Sequence, residues 1–338
     1  MDPRTETGIA ARIIKDCDAA IPACENVKIL SQMVDHIENS DVPFLFDISA
    51  FLISSSKIAS NALMEKIGIP MPRKWQECGF PVIVKPSAHS GGAGVTIAYS
   101  ENDVHGGIEK VMRMGDEPLI QEYVPGRCVS VDIIGRGRGS RSYAVTEGMF
   151  TEDHDCKRVK CSPNILPPKK ETELRRIAGM LAESLDLRSV MSVQAIDSKD
   201  GLKVMEMDAR IPTQAPSAVL AATGINILKE MVSPASKDTK DMRASSYEHF
   251  LIEGNKMTAC GERRFAEIRN PRIVKWLFGS DEMITDYEPG AASWRCAMIN
   301  SARSDEELER KRLGCINSII RECGIREFTD SSPPFRHI

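Results

Sequence analysis

The chain has 338 residues, 42% of them hydrophobic and 5% aromatic, with a formal net charge of −4 and a pI near 6.0. That is enough apolar material for a sizeable core divided over two or three domains, and the acidic balance excludes the basic footprint of a nucleic-acid or anionic-membrane binder. No apolar run approaches the roughly 20 residues of a membrane span, MDPRTETG lacks a signal peptide's apolar core, and ten cysteines scattered from Cys17 to Cys323 read as reduced thiols, so the expected compartment is the cytoplasm.

In chain order, residues 8–30 read as the end of a helix, a strand at about Ala19 to Pro22, a loop at Cys24 to Asn26 and a new helix. A second strand, Phe44 to Phe46, completes a β-loop-α-β pattern of the kind that builds parallel sheets. An opening strand and glycine turn are missing, so this domain reads as abbreviated or as starting upstream of Met1. Ser54 to Ser56 then precede a helix carrying Lys57, Ile58, Ala62 and Leu63, which stops at Gly68 before Pro70 and Pro72.

The segment Pro81 to Val95, PVIVKPSAHSGGAGV, begins with the β-branched run Val82 to Val84 and reads as a buried strand delivering Lys85. In the loop that follows, Gly91, Gly92 and Gly94 leave backbone N–H groups bare. Such a loop suits a phosphate, with Lys85 as a point charge at its base, and it equally suits a plain turn between strands. Ser100 opens a helix with Asp103 as its capping partner and Val104, Ile108 and Val111 on one face.

Pro118 to Val124 is a strand that ends at Pro125-Gly126 and restarts as VSVDII, where Ser130 and Asp132 point away from Val129, Val131 and Ile133. That polar pair fits either a solvated face or a cleft wall. His154, Cys156 and Cys161 lack a paired C-x-x-C and a fourth ligand, so local packing is the default there over zinc. An amphipathic helix on Leu174, Ile177, Ala178, Leu181 and Leu185 leads to the strands Ser189 to Ile196 and LKVMEMDAR. In the latter, Glu206 and Asp208 lie on one face about 7 Å apart, with Arg210 on the same side. The pair suits oxygen ligation of Mg2+; the competing reading is a charged surface strand, against which stand the apolar neighbours Val204, Met205 and Met207. Farther on, His249 reads as a structural histidine, Ser304 with Glu307 as a capping box, Leu308 to Cys323 as an apolar helical stripe, and SSPPFRHI as a mobile tail.

The order of Lys57 before a helix, V-x-K-P at Lys85, the glycine loop Ser90 to Val95, Q-E-Y-V-x-G at Gln121 to Gly126 and E-x-D-x-R at Glu206 to Arg210 resembles the ATP-grasp carboxylate–amine ligases over residues 15–232. Within that superfamily the chain is similar to the pyrrolysine-biosynthesis ligases, which join 3-methyl-D-ornithine to the ε-amino group of L-lysine. AAIPACEN, FLFD, EKIGIPMP, FPVIVKP, QEYVPGRCVSVDIIG, HDCKRV and EMDARIPTQAPSAVLAATGIN carry that similarity.

The resemblance implies an α/β protein with an α+β ATP-grasp core: an abbreviated N-terminal parallel-sheet domain (1–52), a lobe with the glycine-rich loop (53–125), a lobe with the metal site (126–232) and a C-terminal covering domain (233–338). It implies ATP and Mg2+ as cofactors and small amino acids as partners, with the protein a monomer or homodimer. Lys57 and Lys85 would contact ATP phosphates, Ser90, Gly91, Gly92, Gly94 and Val95 would fold over them, and the backbone of Gln121, Glu122, Tyr123 and Val124 would hold adenine. Glu206 and Asp208 would ligate Mg2+, with Gln194 a neutral ligand where a further acid is common, and Arg210 would stabilise phosphoryl transfer. Cys128 stands where many relatives carry a ribose-binding glutamate. Basic substrates need anionic partners, and Glu25, Asp132 and, through its hydroxyl, Ser130 are the candidates. Alternatives are a D-alanine–D-alanine type ligase and a nucleotide-binding protein without ligase activity.

Overall fold

The computed structural model describes residues 16–38, 41–234 and 241–332. Helix α1 (Val27–Glu38) and a single parallel bridge, Ala20 to Phe44, represent the N-terminal unit among the described residues, so the two strands expected there shrink to one pairing. Helix α2 (Ile48–Ser54), capped by the Asp47 carboxylate on the Ala50 N–H, was not foreseen. Helix α3 (Lys57–Lys66) starts where the serine signal put it, with Ser56 Oγ accepting from the Ala59 N–H, and Gly68 follows its end at φ +71°.

Strands β1 (Val82–Pro86), β2 (Thr96–Ala98) and β3 (Pro118–Glu122) form a small antiparallel sheet in the order β2-β1-β3. Helix α4 (Glu101–Arg113) covers it, placing Val104 and Val111 on Val82, Val84 and Ala98. Ser100 caps that helix on the Asp103 N–H, as expected.

Past Gly126 the chain enters a large sheet built from β4 (Arg127–Gly135), β5 (Ser140–Phe150), β6 (Cys156–Cys161), β7 (Val190–Ser198), β8 (Gly201–Asp208), β9 (Ala244–Glu253), β10 (Lys256–Ala259), β11 (Arg272–Lys275), β12 (Glu282–Thr285), β13 (Ser293–Ala302) and β14 (Glu327–Thr329). Its main path runs β11-β12-β13-β9-β6-β5-β4-β7-β8, antiparallel at every step, and β10 pairs with β9 and β14. The expected division at 125/126 falls between the two sheets. The one expected at 232/233 does not divide the large sheet, because β6 pairs directly with β9.

Alternation sorts each strand between the faces. Val129, Val131 and Ile133 of β4 face helix α5 (Pro168–Ser184) through Leu174, Ile177 and Leu181, with Met64 of α3 in the same core. Ile134, Val190 and Val159 face the other way, against helix α6 (Ala215–Thr223), which is followed by helix α7 (Ile227–Val232). A third core lies where Phe250, Trp294, Cys296 and Met298 meet helix α9 (Asp305–Glu322); the short helix α8 (Glu262–Phe265) precedes it in the chain. Half of the capping box expected at the start of α9 forms: Ser304 Oγ accepts from the Glu307 N–H, while Glu307 Oε2 accepts from the N–H of Arg303, one residue before the cap, and not from that of Ser304.

Ser331 and Ser332, the start of the expected mobile tail, are held by the buried Lys157 ammonium; the remainder of the tail lies outside the described residues. Arg312 is buried in a bidentate pair with Glu248 and also reaches Asp330. The ion pairs and the main-chain ladder together make the described residues of 126–234 and 241–332 one sheet-centred body.

Leu181 is fully buried at the centre of the α5 core. Leu181→Ala should cost about 2–5 kcal/mol, from lost transfer energy plus the cavity left behind. An unchanged denaturation midpoint at constant m-value would contradict that packing.

Candidate functional site

The site forms where α3, β1 and the face of the large sheet opposite α5 converge. The Lys57 N–H donates to the Ser87 carbonyl at 3.0 Å, which sets the start of α3 against the end of β1. Lys57 Nζ then donates to the His89 carbonyl at 2.8 Å and pairs with Glu206 Oε1 at 2.9 Å. Lys85, on the inward side of β1, is buried. Burial pushes its ammonium down from 10.5 to about 8, Glu206 opposes that, and the Lys57 charge adds to it.

Register places the polar side chains in two rows. Glu206 of β8 pairs across with Gln194 of β7, Gln194 with Ser130 of β4, and Ser130 with Thr146 of β5. One pleat along, Asp208 pairs with Ser192, and Ser192 with Asp132. Directly paired residues share a face, so Glu206, Asp208 and Gln194 project together. Arg210 closes the end of the strand, with Nη2 2.9 Å from Asp208 Oδ2 and Nε 2.7 Å from Glu25 Oε1. Burial raises the Asp208 carboxyl above its ordinary range; Arg210 pulls it back, while Glu206 and Glu25 add to the rise.

The glycine loop begins beside Lys57, which binds the His89 carbonyl, and holds Gly91, Gly92 and Gly94 at φ +63°, +72° and +78°, a left-handed region that side chains other than glycine's rarely adopt. Ser90 Oγ donates to Glu25 Oε2 at 3.2 Å, and Lys110 Nζ donates to the Val95 carbonyl at 3.3 Å.

Several expected roles change. Glu25 is not an open carboxylate for a substrate ammonium: Arg210 takes one oxygen and Ser90 the other, because the guanidinium is the nearest cation and the loop hydroxyl lies within reach. Along the hinge, the Glu122 N–H donates to the Arg73 carbonyl and the Tyr123 N–H to Pro81, so those two donors are spent within the fold, leaving that of Val124. Gln121 is buried with its amide oxygen 3.4 Å from Asn61 Nδ2. The Glu122 carboxylate would be raised by burial, but Arg73 and Lys203 outweigh this and hold it at about 2.

Ser130 spends its hydroxyl on Thr146 Oγ1 at 2.7 Å. Asp132 is 2% exposed and neither carboxylate oxygen has a hydrogen-bond partner; burial pushes it up to about 6, with the neighbouring Ser192 hydroxyl opposing. Ser192 and Thr146 carry no motif and were missed. Only the pairing of the β7–β8 hairpin could have placed Ser192 in the acidic row.

Among the described residues there is no group of three or more His, Cys, Asp or Glu side chains placed to hold one metal ion. His249 is fully buried and stacks on Phe265 at 4.2 Å, and burial pushes it down to about 3, as befits a neutral structural ring. Buried Cys128 is driven up to about 12, chiefly by burial and then by the Glu206 charge, so it faces the site as a neutral thiol.

Comparison with known proteins identifies the family and the fold. The ATP-grasp domain family profile matches residues 54–214. The chain is 31% identical to 3-methyl-D-ornithine–L-lysine ligase of Methanosarcina acetivorans over 72% of its own length and 65% of that protein's. With the same-named protein of Methanosarcina barkeri it shares 30% identity over 91% of its own length and 82% of the other's. It thus spans just under two thirds of the first relative and more of the second. Among solved structures, biotin carboxylase from Campylobacter jejuni superposes with a TM-score of 0.70 at 18% identity, covering 92% of this chain and 76% of that one. N5-carboxyaminoimidazole synthase from Aspergillus clavatus, in complex with ADP and its ribonucleotide, gives 0.65 at 16%, covering 94% and 85%. At these identities the structural likeness speaks for the fold alone.

The buried Lys85 supplies a test. Its ammonium keeps its charge only below about pH 8, whereas an ordinary lysine holds it to 10.5. Between those values the unfolded chain binds the proton that the folded chain has lost, so this group makes folding more favourable as pH rises through that window. A bound phosphate needs the charge back, so nucleotide affinity should fall above pH 8, by up to about tenfold per pH unit. Lys85→Arg, charged throughout, should flatten the profile in calorimetric titrations of nucleotide from pH 7 to 9.5. A flat profile in the parent protein would remove Lys85 from the phosphate site.

Proposed function

Because the chain belongs to the ATP-grasp family, in the branch of the 3-methyl-D-ornithine–L-lysine ligases, we propose that it is an ADP-forming ligase joining the carboxylate of 3-methyl-D-ornithine to the ε-amino group of L-lysine. The observation that carries this reading is the meeting, at one sheet face, of two buried lysines under a glycine loop with the Glu206 and Asp208 row. Cations for a polyphosphate and oxygen donors for a metal lie side by side.

The residues fit the groups this chemistry needs. Glu206, Asp208 and Gln194 offer oxygen atoms only, the donor set of a hard cation such as Mg2+, and the glycine loop bares backbone N–H groups beside Lys57 and Lys85. ATP supplies the activating phosphoryl group: a substrate carboxylate oxygen bonds to the γ-phosphorus as the bond to ADP breaks, and the amine nitrogen then bonds to the acyl carbon as phosphate leaves. Lys57 and Lys85 hold the phosphates, and the carboxylate pair with Gln194 holds Mg2+. Arg210, oriented by Glu25 and Asp208, faces the charge that develops in transfer, so Glu25 serves it as a positioning residue. Val124 offers the free hinge N–H to the base. Asp132 receives a substrate ammonium, which would pair a buried carboxylate that has no hydrogen-bond partner within the chain.

This reading places the protein in the cytoplasm as a monomer or homodimer. The neutral Cys128 and Gln194 support a second reading, nucleotide binding without turnover.

With Mg2+, ATP, a D-ornithine-type acid and L-lysine, the purified protein should release ADP and phosphate with both amino acids required. Glu206→Gln and Asp208→Asn should lower kcat by roughly a hundredfold or more with little change in melting temperature. Nucleotide-induced stabilisation without phosphate release would select the binder, and turnover with D-alanine alone would select a D-alanine–D-alanine type ligase. Separately, Asp132→Asn should raise KM for the diamino acid about tenfold while leaving nucleotide affinity intact. Kinetics unchanged toward both amino acids would remove Asp132 from the substrate site.

A further inference from the structure

Two groups that the ligation chemistry does not use press on the outer side of the glycine loop. One is the turn Thr151 to Asp155, which joins β5 to β6; the other is Arg263 on α8. The turn is tightly braced. Thr151 N–H donates to the Asp155 carbonyl at 2.9 Å, His154 N–H to the Thr151 carbonyl at 3.0 Å, and Asp155 N–H to Thr151 Oγ1 at 3.2 Å. His154 sits at φ +62° in this turn.

Arg263 is bolted onto the turn. Its N–H and Nε approach Asp155 Oδ2 at 3.0 and 3.2 Å, and its Nη2 lies 2.5 Å from Asp153 Oδ2. This approach requires glycine at 261, where a Cβ would lie 2.1 Å from the Asp155 carboxylate.

The loop rests on this assembly with no space to spare. A Cβ on Gly92 would meet the His154 carbonyl oxygen at 2.3 Å, and one on Gly91 would lie 3.4 Å from Arg263 Cγ. Asp155 is 3% exposed, and its Oδ1, the carboxylate oxygen without a partner, lies 3.8 Å from that Gly91 position. A run of glycines loses more conformational freedom on ordering than any other sequence, so contacts on its outer side decide whether it stays down.

We propose that Arg263 is a positioning residue: with Asp153, Asp155 and the His154 carbonyl it forms a platform that seats the glycine loop and so keeps water from the acyl phosphate. This rests on the ligase reading above. An acyl phosphate partitions between the amine, which yields amide, and water, which yields the free acid and wasted ADP. A loop that lifts raises the share of water.

The test is the number of ADP molecules released per amide formed, together with hydrogen exchange over residues 88–96. Arg263→Ala, Arg263→Lys and Asp155→Asn are compared with the parent. The Arg263 side chain is 43% exposed, so its loss should spare the fold, and the isosteric Asp155→Asn decides if it does not. Arg263→Ala and Asp155→Asn should release several ADP per amide against about one in the parent. They should also raise KM for ATP several-fold and speed exchange of the loop about tenfold, with Arg263→Lys in between. A purely structural role would leave the ratio unmoved, so an unchanged ratio with unchanged exchange overturns the proposal. If the parent ligates no amino-acid pair, the exchange measurement stands alone: faster loop exchange in Arg263→Ala supports the platform and equal exchange overturns it, whatever the fate of the ligase reading.

Discussion

Charge buried at the meeting of the two sheets has to be balanced, and the pair between Lys57 and Glu206 at 2.9 Å is where that balance is struck. Lys85 lies buried close enough to feel both charges. A cation from the first turn of α3, another from β1 and an anion from β8 therefore depend on one another, although each comes from a different element. Neither lysine would be tolerated at such depth without the carboxylate, and the carboxylate would repel Asp208 more strongly without them. In the ligase proposed above, a polyphosphate would take over the lysines of this cluster and a divalent cation its acids.

Arg210 extends the arrangement outward. Its guanidinium spans Asp208 on the sheet and Glu25 on the N-terminal segment, and Glu25 also accepts from Ser90 in the glycine loop. The guanidinium bridges the sheet and the N-terminal segment with two different nitrogens, and the loop joins at one remove through Glu25, an arrangement that suits arginine's several donors and would not suit lysine's point charge. The N-terminal unit, which shows only one strand pairing among its described residues, thus reaches the chemistry through a single carboxylate.

What was legible in the sequence was what short-range physics decides. Helix starts at Ser56, Ser100 and Ser304 follow from side-chain oxygens reaching N–H groups three residues on, and Glu206 and Asp208 share a face because strands alternate. Helix α2 was missed because ISAFLIS has neither a clear polar face nor a helix-forming run, and its Asp47 cap looks like any loop aspartate. The pairing of Glu25 is not legible, because nothing local announces that Arg210 will stand beside it. Asp132 could be placed on a face by alternation, but that the folded chain buries it without a hydrogen-bond partner is a tertiary fact.

The continuity of the large sheet across residues 232 and 233 bears on how the chain can be divided. Strand β9 covers the outer edge of β6 from Arg158 to Cys161, with Ser245 to Glu248 as the opposing residues. Removing everything after β8, α6 and α7 would leave that edge of β6 as a row of unpaired N–H and C=O groups beside apolar Val159 and Cys161. Such a fragment would present a template for pairing with copies of itself. The C-terminal third, which carries none of the phosphate or metal ligands assigned above, thereby keeps the edge of β6 closed within the chain.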